Sequence, residues 1–268
     1  MSDYQLTHIA GHLGDIVVHH WPVSQPRFLV LLAHGYGEHL GRYHHVAAHF
    51  NQLGAYVFGP DHLGHGQSAG ERVLIHDYEP VVDDLHQAAL TVTQRYPDLP
   101  LVLIGHSMGG MIAARYAQHY AAELQALILS GPLLGEHTQI SDLSQLDEIP
   151  ETPLDISTLS NDPAVGAAYQ ADPLVWHGPF KRTTLVAMSN MLTDIYHGPS
   201  FGNLPTLWLH GESDRLVLPA ETKQALDKLQ GSHFDFELYQ GDQHEIFNEI
   251  NKEDVLKRAS DFALRAIG

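Results

Sequence analysis

The stretch LVLIGHSMGG, residues 101–110, decides the fold of this chain. Four apolar residues with the character of a buried strand lead into GHSMG, and the helical pattern MIAARYAQHYAAEL follows. The pattern G-x-S-x-G between a strand and a helix is typical of a nucleophile elbow, a sharp turn that exposes a serine hydroxyl at the carboxyl end of a sheet. It therefore predicts that Ser107 is a nucleophile.

The glycines beside this serine are required by the shape of such a turn. Gly105 and Gly109 flank a residue in a strained backbone conformation, where larger side chains would collide. The start of the following helix also presents backbone N–H groups that can stabilise an oxyanion. A plain glycine-rich loop is the alternative interpretation of this short pattern.

A serine hydroxyl needs a base that takes its proton, so a histidine and an acid are expected on later strand ends. Their order along the chain is serine, acid, histidine. Asp214 follows the apolar run at 205–209, and His244 follows the run at 234–239. We therefore assign Asp214 as the orienting acid and His244 as the base.

Other side chains compete for these two roles. Glu212 lies closer to its strand than Asp214, and Asp242 is either a turn residue or an acid. His210 also ends a strand. His244 is favoured as the base because no histidine follows it in the chain.

An oxyanion hole needs a second donor, which is expected in the loop after the strand that precedes the first core helix. HGYG at 34–37 follows the strand-like run FLVLLA and occupies that place. The backbone N–H groups of Tyr36 and Met108 are the candidate donors, each contributing about 3 kcal/mol to transition-state stabilisation. We expect His34 to order this loop by hydrogen bonding.

The arrangement of apolar runs predicts an α/β fold with a mostly parallel central sheet flanked by helices. Together with the G-x-S-x-G elbow, this arrangement resembles the α/β-hydrolase fold. Core strands are predicted at 28–33, 55–58, 101–104, 126–130, 205–209 and 234–239, with an antiparallel edge strand at 14–20. Helices are predicted near 42–53, 79–95, 108–121, 219–230 and 252–266.

One stretch interrupts this alternation. Strand signals vanish from 133 to 203, and short helix-like pieces alternate with segments rich in proline and aspartate. A structureless loop of that length is implausible in a compact domain. We predict that 133–203 is an inserted, mainly helical cap, which we call the cap segment, and that 1–132 and 204–268 form the core.

Composition and charge exclude several functions. The 14 basic and 32 acidic residues give a formal net charge of −18, which would repel nucleic acid. Any contact with membranes or lipid aggregates is expected to be transient and to use apolar surface of the cap segment. The absence of cysteine excludes disulfides, thiolate zinc sites and cysteine nucleophiles. Since neither a secretion signal nor an apolar run of roughly 20 residues is evident, we expect a soluble, cytoplasmic protein.

Two patterns suggest a cofactor or a metal, and neither fits well. The glycines at 35, 37 and 41 resemble a dinucleotide-binding fingerprint, but their spacing is one residue too long. The pairs His45 and His49, and His62 and His65, lack an accompanying carboxylate cluster. A solvated helix face and satisfied loop histidines explain them better, and 61–68 is interpreted as a structural loop. We predict no cofactor and no metal.

Five motifs occur in an order that resembles the monoacylglycerol lipase and lysophospholipase branch of the α/β hydrolases. They are HGYGEHLGRY, PDHLGHGQSAGER, GHSMGG, GESDRLV and GDQHEIFNE, and the cap stretch NDPAVGAAYQADPLVWHG also resembles that branch. The resemblance covers nearly the whole chain. It implies a cap that lines an apolar acyl tunnel over Ser107, and hydrolysis of monoacylglycerol to fatty acid and glycerol.

The same resemblance implies that Glu38 and Arg42 lie near the alcohol end of the site. A salt bridge that braces the oxyanion loop is the alternative for this pair. Phe247 departs from the pattern, because some relatives carry a polar residue there that contacts glycerol. A general carboxylesterase, a lysophospholipase and an acyltransferase would share all the residues named above. A binding module without catalysis is disfavoured, because nucleophile, acid and base are all present.

Overall fold

The computed structural model describes residues 4–151 and 154–268. Within these ranges the chain forms an eight-stranded sheet with helices on both faces. The strands are β1 (Gln5–Gly11), β2 (Gly14–Trp21), β3 (Phe28–Ala33), β4 (Ala55–Pro60), β5 (Leu101–His106), β6 (Ala126–Ser130), β7 (Thr206–Gly211) and β8 (Phe234–Tyr239). The α-helices are α1 (His44–Gln52), α2 (Glu79–Thr93), α3 (Met108–Tyr120), α4 (Gln139–Gln145), α5 (Pro163–Ala171), α6 (Arg182–His197), α7 (Pro219–Leu229) and α8 (Lys252–Ile267).

The strands lie in the order β1-β2-β4-β3-β5-β6-β7-β8. The β1–β2 and β2–β4 pairs are antiparallel, and all pairs from β4 to β8 are parallel. The mostly parallel sheet that the sequence predicts is therefore confirmed. Because parallel strands end at the same edge, the loops after β3, β5, β7 and β8 converge there.

The five strands from β3 to β7 are buried along their whole length. Strands that are covered on both faces have nearly continuous apolar sequences. These strands could therefore be predicted from the sequence. Helices α1 and α8 pack on one face, and α2, α3 and α7 pack on the other.

The outer edge of the sheet differs from the prediction. Residues 14–20 form the predicted antiparallel strand as part of β2, but its predicted place at the edge is wrong, because β1 pairs outside it. The side chains of QLTHIAG are mostly exposed, so β1 has no apolar run that could reveal it. β2, by contrast, is buried along most of its length.

The described part of the cap segment contains α4, α5 and α6 and no strand. Helix α6 buries an apolar face against the same core cluster as α3. A small separate cluster forms around Leu159, Tyr169 and Val175. The segment is mainly helical, and its status as a distinct structural unit stays a prediction. Among the helices that the structure describes, none combines the length and apolar character needed to cross a bilayer.

Helix α3 approaches the sheet so closely that only glycine fits at two positions. A Cβ atom on Gly109 would lie 2.1 Å from the carbonyl oxygen of Ala33. One on Gly105 would lie 2.4 Å from the carbonyl oxygen of Gly109. The predicted collisions at both glycines are thus confirmed.

We predict that Gly109→Ala lowers the free energy of unfolding by about 1–3 kcal/mol or more, because the added methyl meets rigid backbone. Gly166→Ala in α5 is the matched control, since its nearest neighbour would be a side-chain atom of Ile156 at 3.4 Å. The control should be neutral or more stable by up to about 1 kcal/mol. Urea denaturation of both variants measures the difference, and equal effects would contradict the packing argument.

Candidate active site

Ser107 lies on the turn between β5 and α3 with φ 55° and ψ −120°. A positive φ is rare for residues other than glycine, and it persists only where the surroundings enforce it. The Ser107 amide donates to the carbonyl of Ser130 at 3.1 Å, and the Ser107 carbonyl accepts from the amides of Gly110 and Leu133 at 2.8 and 3.0 Å. These bonds tie the turn to β6, to α3 and to the start of the cap segment.

Asp214 and His244 lie in the loops after β7 and β8 and are both buried. His244 Nδ1 donates to Asp214 Oδ2 at 2.7 Å. With the proton on Nδ1, the Nε2 atom of the neutral ring is free to accept another. His244 and Ser107 line the same cavity, so the structure brings the predicted nucleophile and the predicted base to one site.

The Asp214 carboxylate accepts further hydrogen bonds. Its Oδ1 accepts from the amides of Leu216 and Val217 at 2.9 and 3.0 Å. Its Oδ2 accepts from His210 Nε2 at 3.0 Å as well as from His244. Burial by itself raises the pKa of Asp214, but the two histidines outweigh it and hold the pKa below its ordinary value.

The pKa of His244 moves the opposite way from the effect of burial. Burial favours the neutral ring and lowers the pKa, whereas the charge and hydrogen bond of Asp214 favour the imidazolium. Asp214 dominates, and the pKa lies above the ordinary value of 6.5. Asp214 thus makes His244 a stronger base than a free imidazole.

The competing acids occupy other positions. Of the carboxylates in the described ranges, Asp214 is the one that forms an ion pair with His244. Glu212 is exposed, and Asp242 anchors a turn through its carbonyl, which accepts from the amide of Ser213. His210 contacts Asp214 from within β7, a contact that its place at the end of a predicted strand did not reveal.

The loop after β3 is ordered by His34, as the sequence predicts. His34 Nδ1 donates to the carbonyl of Gly35 at 2.8 Å, and Nε2 accepts from the amide of His62 at 2.9 Å. Only the neutral ring satisfies both contacts. Burial and the neighbouring histidines hold the pKa of His34 well below its ordinary value. Tyr36 and Met108, the predicted oxyanion donors, both line the cavity beside Ser107.

Glu38 and Arg42 form a buried ion-pair cluster beneath this loop. Glu38 Oε1 accepts from the amide of Gly35 and from the Tyr43 hydroxyl, each at 2.7 Å, and Oε2 accepts from Arg42 at 2.6 Å. Arg42 also binds both oxygens of Glu245, at 2.7 and 2.8 Å. The geometry matches the bracing salt bridge, and contact of Glu38 and Arg42 with a substrate stays a prediction.

Glu245 is a residue of the site that the sequence did not reveal, although it directly follows His244. Its partner Arg42 lies 203 residues earlier in the chain. Burial raises the pKa of Glu245, but Arg42 outweighs it and lowers the pKa overall. The only available signal was its place in GDQHEIFNE, which does not indicate pairing with Arg42.

A cavity of about 260 Å³ opens beside Ser107. Its wall is mostly apolar, and most of the apolar side chains come from the cap segment. They are Leu133, Ile140, Leu143, Leu154, Ile156, Leu159, Phe180 and Met188, with Leu216 and Val217 from the core. Such a wall suits a hydrocarbon chain.

His45 and His49, the pair at helical spacing, each have a partner outside their own helix. His45 Nε2 lies 2.8 Å from the carbonyl of Phe247, and His49 Nε2 lies 2.9 Å from Ser260 Oγ. The interpretation of this helix face as simply solvated is therefore wrong.

The loop at 61–68 is held by Asp61, whose carboxylate accepts from the amides of Leu40 and Gln67. Across 4–151 and 154–268, no group of three or more side chains is arranged to hold a metal ion.

Comparison with known proteins gives consistent results. The family model described as serine aminopeptidase, S33, matches residues 24–251. The chain is 38% identical to a monoacylglycerol lipase of Mycolicibacterium smegmatis over 244 residues, which cover 88% of this chain and 87% of the relative. It is 30% identical to a monoglyceride lipase of Rattus norvegicus over 257 residues, which cover 91% and 85%.

Solved structures confirm the α/β-hydrolase fold. The structure of a soluble variant of monoglyceride lipase from Saccharomyces cerevisiae in complex with a substrate analog matches with a TM-score of 0.84 at 20% identity. The match covers 100% of this chain and 97% of the yeast chain.

We predict that Arg42→Met lowers the free energy of unfolding by about 3–5 kcal/mol, because it leaves two buried carboxylates without their cation. The matched control is Lys223→Met, which removes an exposed ion pair with Asp227 and should cost less than about 0.5 kcal/mol. Denaturant titration of both variants at neutral pH measures the two values. Similar losses would show that the Arg42 cluster adds no more than a surface pair.

Proposed function

This chain belongs to the monoacylglycerol lipase family of serine hydrolases, and we propose that it hydrolyses monoacylglycerols to a fatty acid and glycerol through an acyl-enzyme on Ser107. Its family and fold are those of a serine ester hydrolase. The observation that carries the proposal is the 2.7 Å hydrogen bond between Asp214 and His244 beside a mostly apolar cavity that also holds Ser107.

In the first step, His244 Nε2 takes the proton of the Ser107 hydroxyl while Oγ attacks the ester carbonyl. The amides of Tyr36 and Met108 donate to the oxyanion of the tetrahedral intermediate. The bond between carbon and the glycerol oxygen then breaks, and His244 returns its proton to the departing alcohol. Asp214 stabilises the imidazolium that exists between these events.

In the second step, water replaces the alcohol. His244 takes a proton from the water, whose oxygen attacks the acyl-enzyme, and a second tetrahedral intermediate collapses to release the fatty acid. Ser107 recovers its proton from His244. The two half-reactions use the same donors, so one preorganised site serves both.

The substrate class follows from the cavity and the relatives. An apolar wall contributed largely by the cap segment suits an acyl chain. Two relatives that match most of this chain are described as lipases of monoacylglycerols. A single-chain lipid ester is therefore the substrate we propose.

Substrates of this kind reside in lipid aggregates, and we propose that the cap segment contacts them transiently. Leu146, which directly follows α4, and Val186 on the neighbouring helix α6 support this, because both are exposed. The net charge of −18 disfavours electrostatic attachment to anionic lipid. Apolar contact is then the available means of attachment.

The raised pKa of His244 predicts the pH dependence of hydrolysis. The base must be neutral in the free enzyme, so kcat/KM should fall as the pH drops through the pKa of His244, with a midpoint above 6.5. Asp214→Asn should move that midpoint down and lower kcat by about 10⁴-fold. A midpoint below 6.5 in the unmodified enzyme would contradict the role of Asp214.

The decisive experiment compares initial rates on monoacylglycerols of varied chain length with rates on diacylglycerols, triacylglycerols and lysophospholipids. We expect the highest kcat/KM for a monoacylglycerol. The control is Ser107→Ala protein, which should be slower by about 10⁴-fold or more. A clear preference for diacylglycerol, or near-normal turnover by Ser107→Ala protein, would contradict the proposal. A preference for lysophospholipids would replace monoacylglycerol by that class.

A further inference from the structure

His210 is a residue of the central sheet and does not line the cavity beside Ser107. It lies near the end of β7, is completely buried, and contacts Asp214 through Nε2 at 3.0 Å. We propose that His210 is a positioning residue for hydrolysis, which Trp208 locks as a neutral donor so that it holds the Asp214 carboxylate in place for His244. This inference rests on the roles proposed above for Asp214 and His244.

The tautomer of His210 is fixed by its three partners. Nε2 faces two acceptors, Asp214 Oδ2 and the carbonyl of Val217, both at 3.0 Å. Nε2 must therefore carry a hydrogen. Nδ1 faces the indole Nε1 of Trp208 at 3.0 Å. An indole nitrogen can only donate, so Nδ1 must be without a hydrogen. The ring is neutral, because a protonated ring would set two N–H groups against each other.

This arrangement restricts the Asp214 carboxylate at both oxygens. Oδ2 accepts from His210 and His244, and Oδ1 accepts from the amides of Leu216 and Val217. Rotation of the carboxylate away from His244 would break bonds to its other donors as well. The orientation that His244 needs is thus maintained by one other side chain and by two backbone amides.

The neutrality of His210 matters as much as its hydrogen bond. A cation at this position would compete with His244 for the charge of Asp214. A neutral donor satisfies a lone pair of Oδ2 and leaves that negative charge available to stabilise the imidazolium of His244. Trp208, a buried residue of the same strand, maintains this state.

The test compares His210→Leu, which removes the donor, with His210→Gln, whose amide nitrogen extends about as far as Nε2. His20→Leu is the matched control, because His20 is another buried histidine with polar partners, on β2. Hydrolysis of p-nitrophenyl butyrate gives kcat and KM, and a fluorophosphonate probe measures the reactivity of Ser107. Melting temperature and near-ultraviolet circular dichroism report folding.

We expect His210→Leu to lower kcat and the labelling rate by about 10-fold to 100-fold at nearly unchanged KM, the size of effect that a misplaced catalytic group produces. His210→Gln should recover to within about 3-fold of the unmodified enzyme if a neutral donor suffices. The control His20→Leu should keep its kcat, even where its melting temperature falls.

Two further measurements apply whether or not His210→Leu folds. Trp208→Phe leaves Nδ1 free to take up a proton, and it should lower kcat by about 3-fold to 10-fold, because a cationic ring would compete with His244 for the charge of Asp214. The far-downfield proton NMR signal of the bond between His244 and Asp214 should weaken or shift in this variant. An unchanged signal together with unchanged kcat would overturn the proposal.

Different results would contradict the role of His210 and the proposed function. Normal kcat in a folded His210→Leu protein, or equal losses in the Leu and Gln variants, would show that His210 only supports the fold. An unmodified enzyme that neither cleaves the ester nor reacts with the probe would instead defeat the proposed function. Ester cleavage by the unmodified enzyme without a preference for monoacylglycerol would leave the role of His210 intact.

Discussion

The left-handed backbone of Ser107 is the constraint on which the rest of the site depends. A chain that leaves β5 and enters α3 without a longer loop must turn sharply, and the turn is stable only because its carbonyl and amide are bonded on several sides. Those bonds reach β6 and the first residue of the cap segment, Leu133. Ser107, the end of β6 and the start of the cap segment are thus held together at one residue of unusual backbone geometry.

The buried ion-pair cluster beside the site is a second feature on which the site depends, and it contains more acidic than basic side chains. Arg42 is shared by two carboxylates, Glu38 and Glu245, so the cluster as a whole keeps an excess of negative charge close to His244. Both carboxylates add to the effect of Asp214 in raising the pKa of His244. The ion-pair cluster that braces the loop after β3 therefore also raises the pKa of His244.

Sequence patterns predicted the elements whose signal is local. The central strands are mostly apolar and buried along their whole length, and the G-x-S-x-G turn, the acid and the histidine follow strand ends in a known order. Sequence patterns did not predict a strand whose side chains are exposed, or a contact between residues that lie far apart in the chain. β1 is exposed, and the contact between Arg42 and Glu245 joins residues with no common pattern. His210 and Asp214 are four residues apart, but the turn that brings them together is not a helix, so helical spacing gave no indication.

The oxyanion loop and the cap segment are coupled by polar contacts rather than by apolar packing alone. The amide of Trp176 donates to the carbonyl of Gly37 at 2.7 Å, and His39 Nε2 lies 2.9 Å from Asp172 Oδ2. Phe180 also stacks on the Tyr36 ring, with centroids 4.7 Å apart. These contacts hold the 172–180 stretch against the loop after β3, whose residue Tyr36 lines the same cavity as Ser107. Because this stretch also supplies Trp176 and Phe180 to the cavity wall, the same contacts position both the loop and part of the apolar wall.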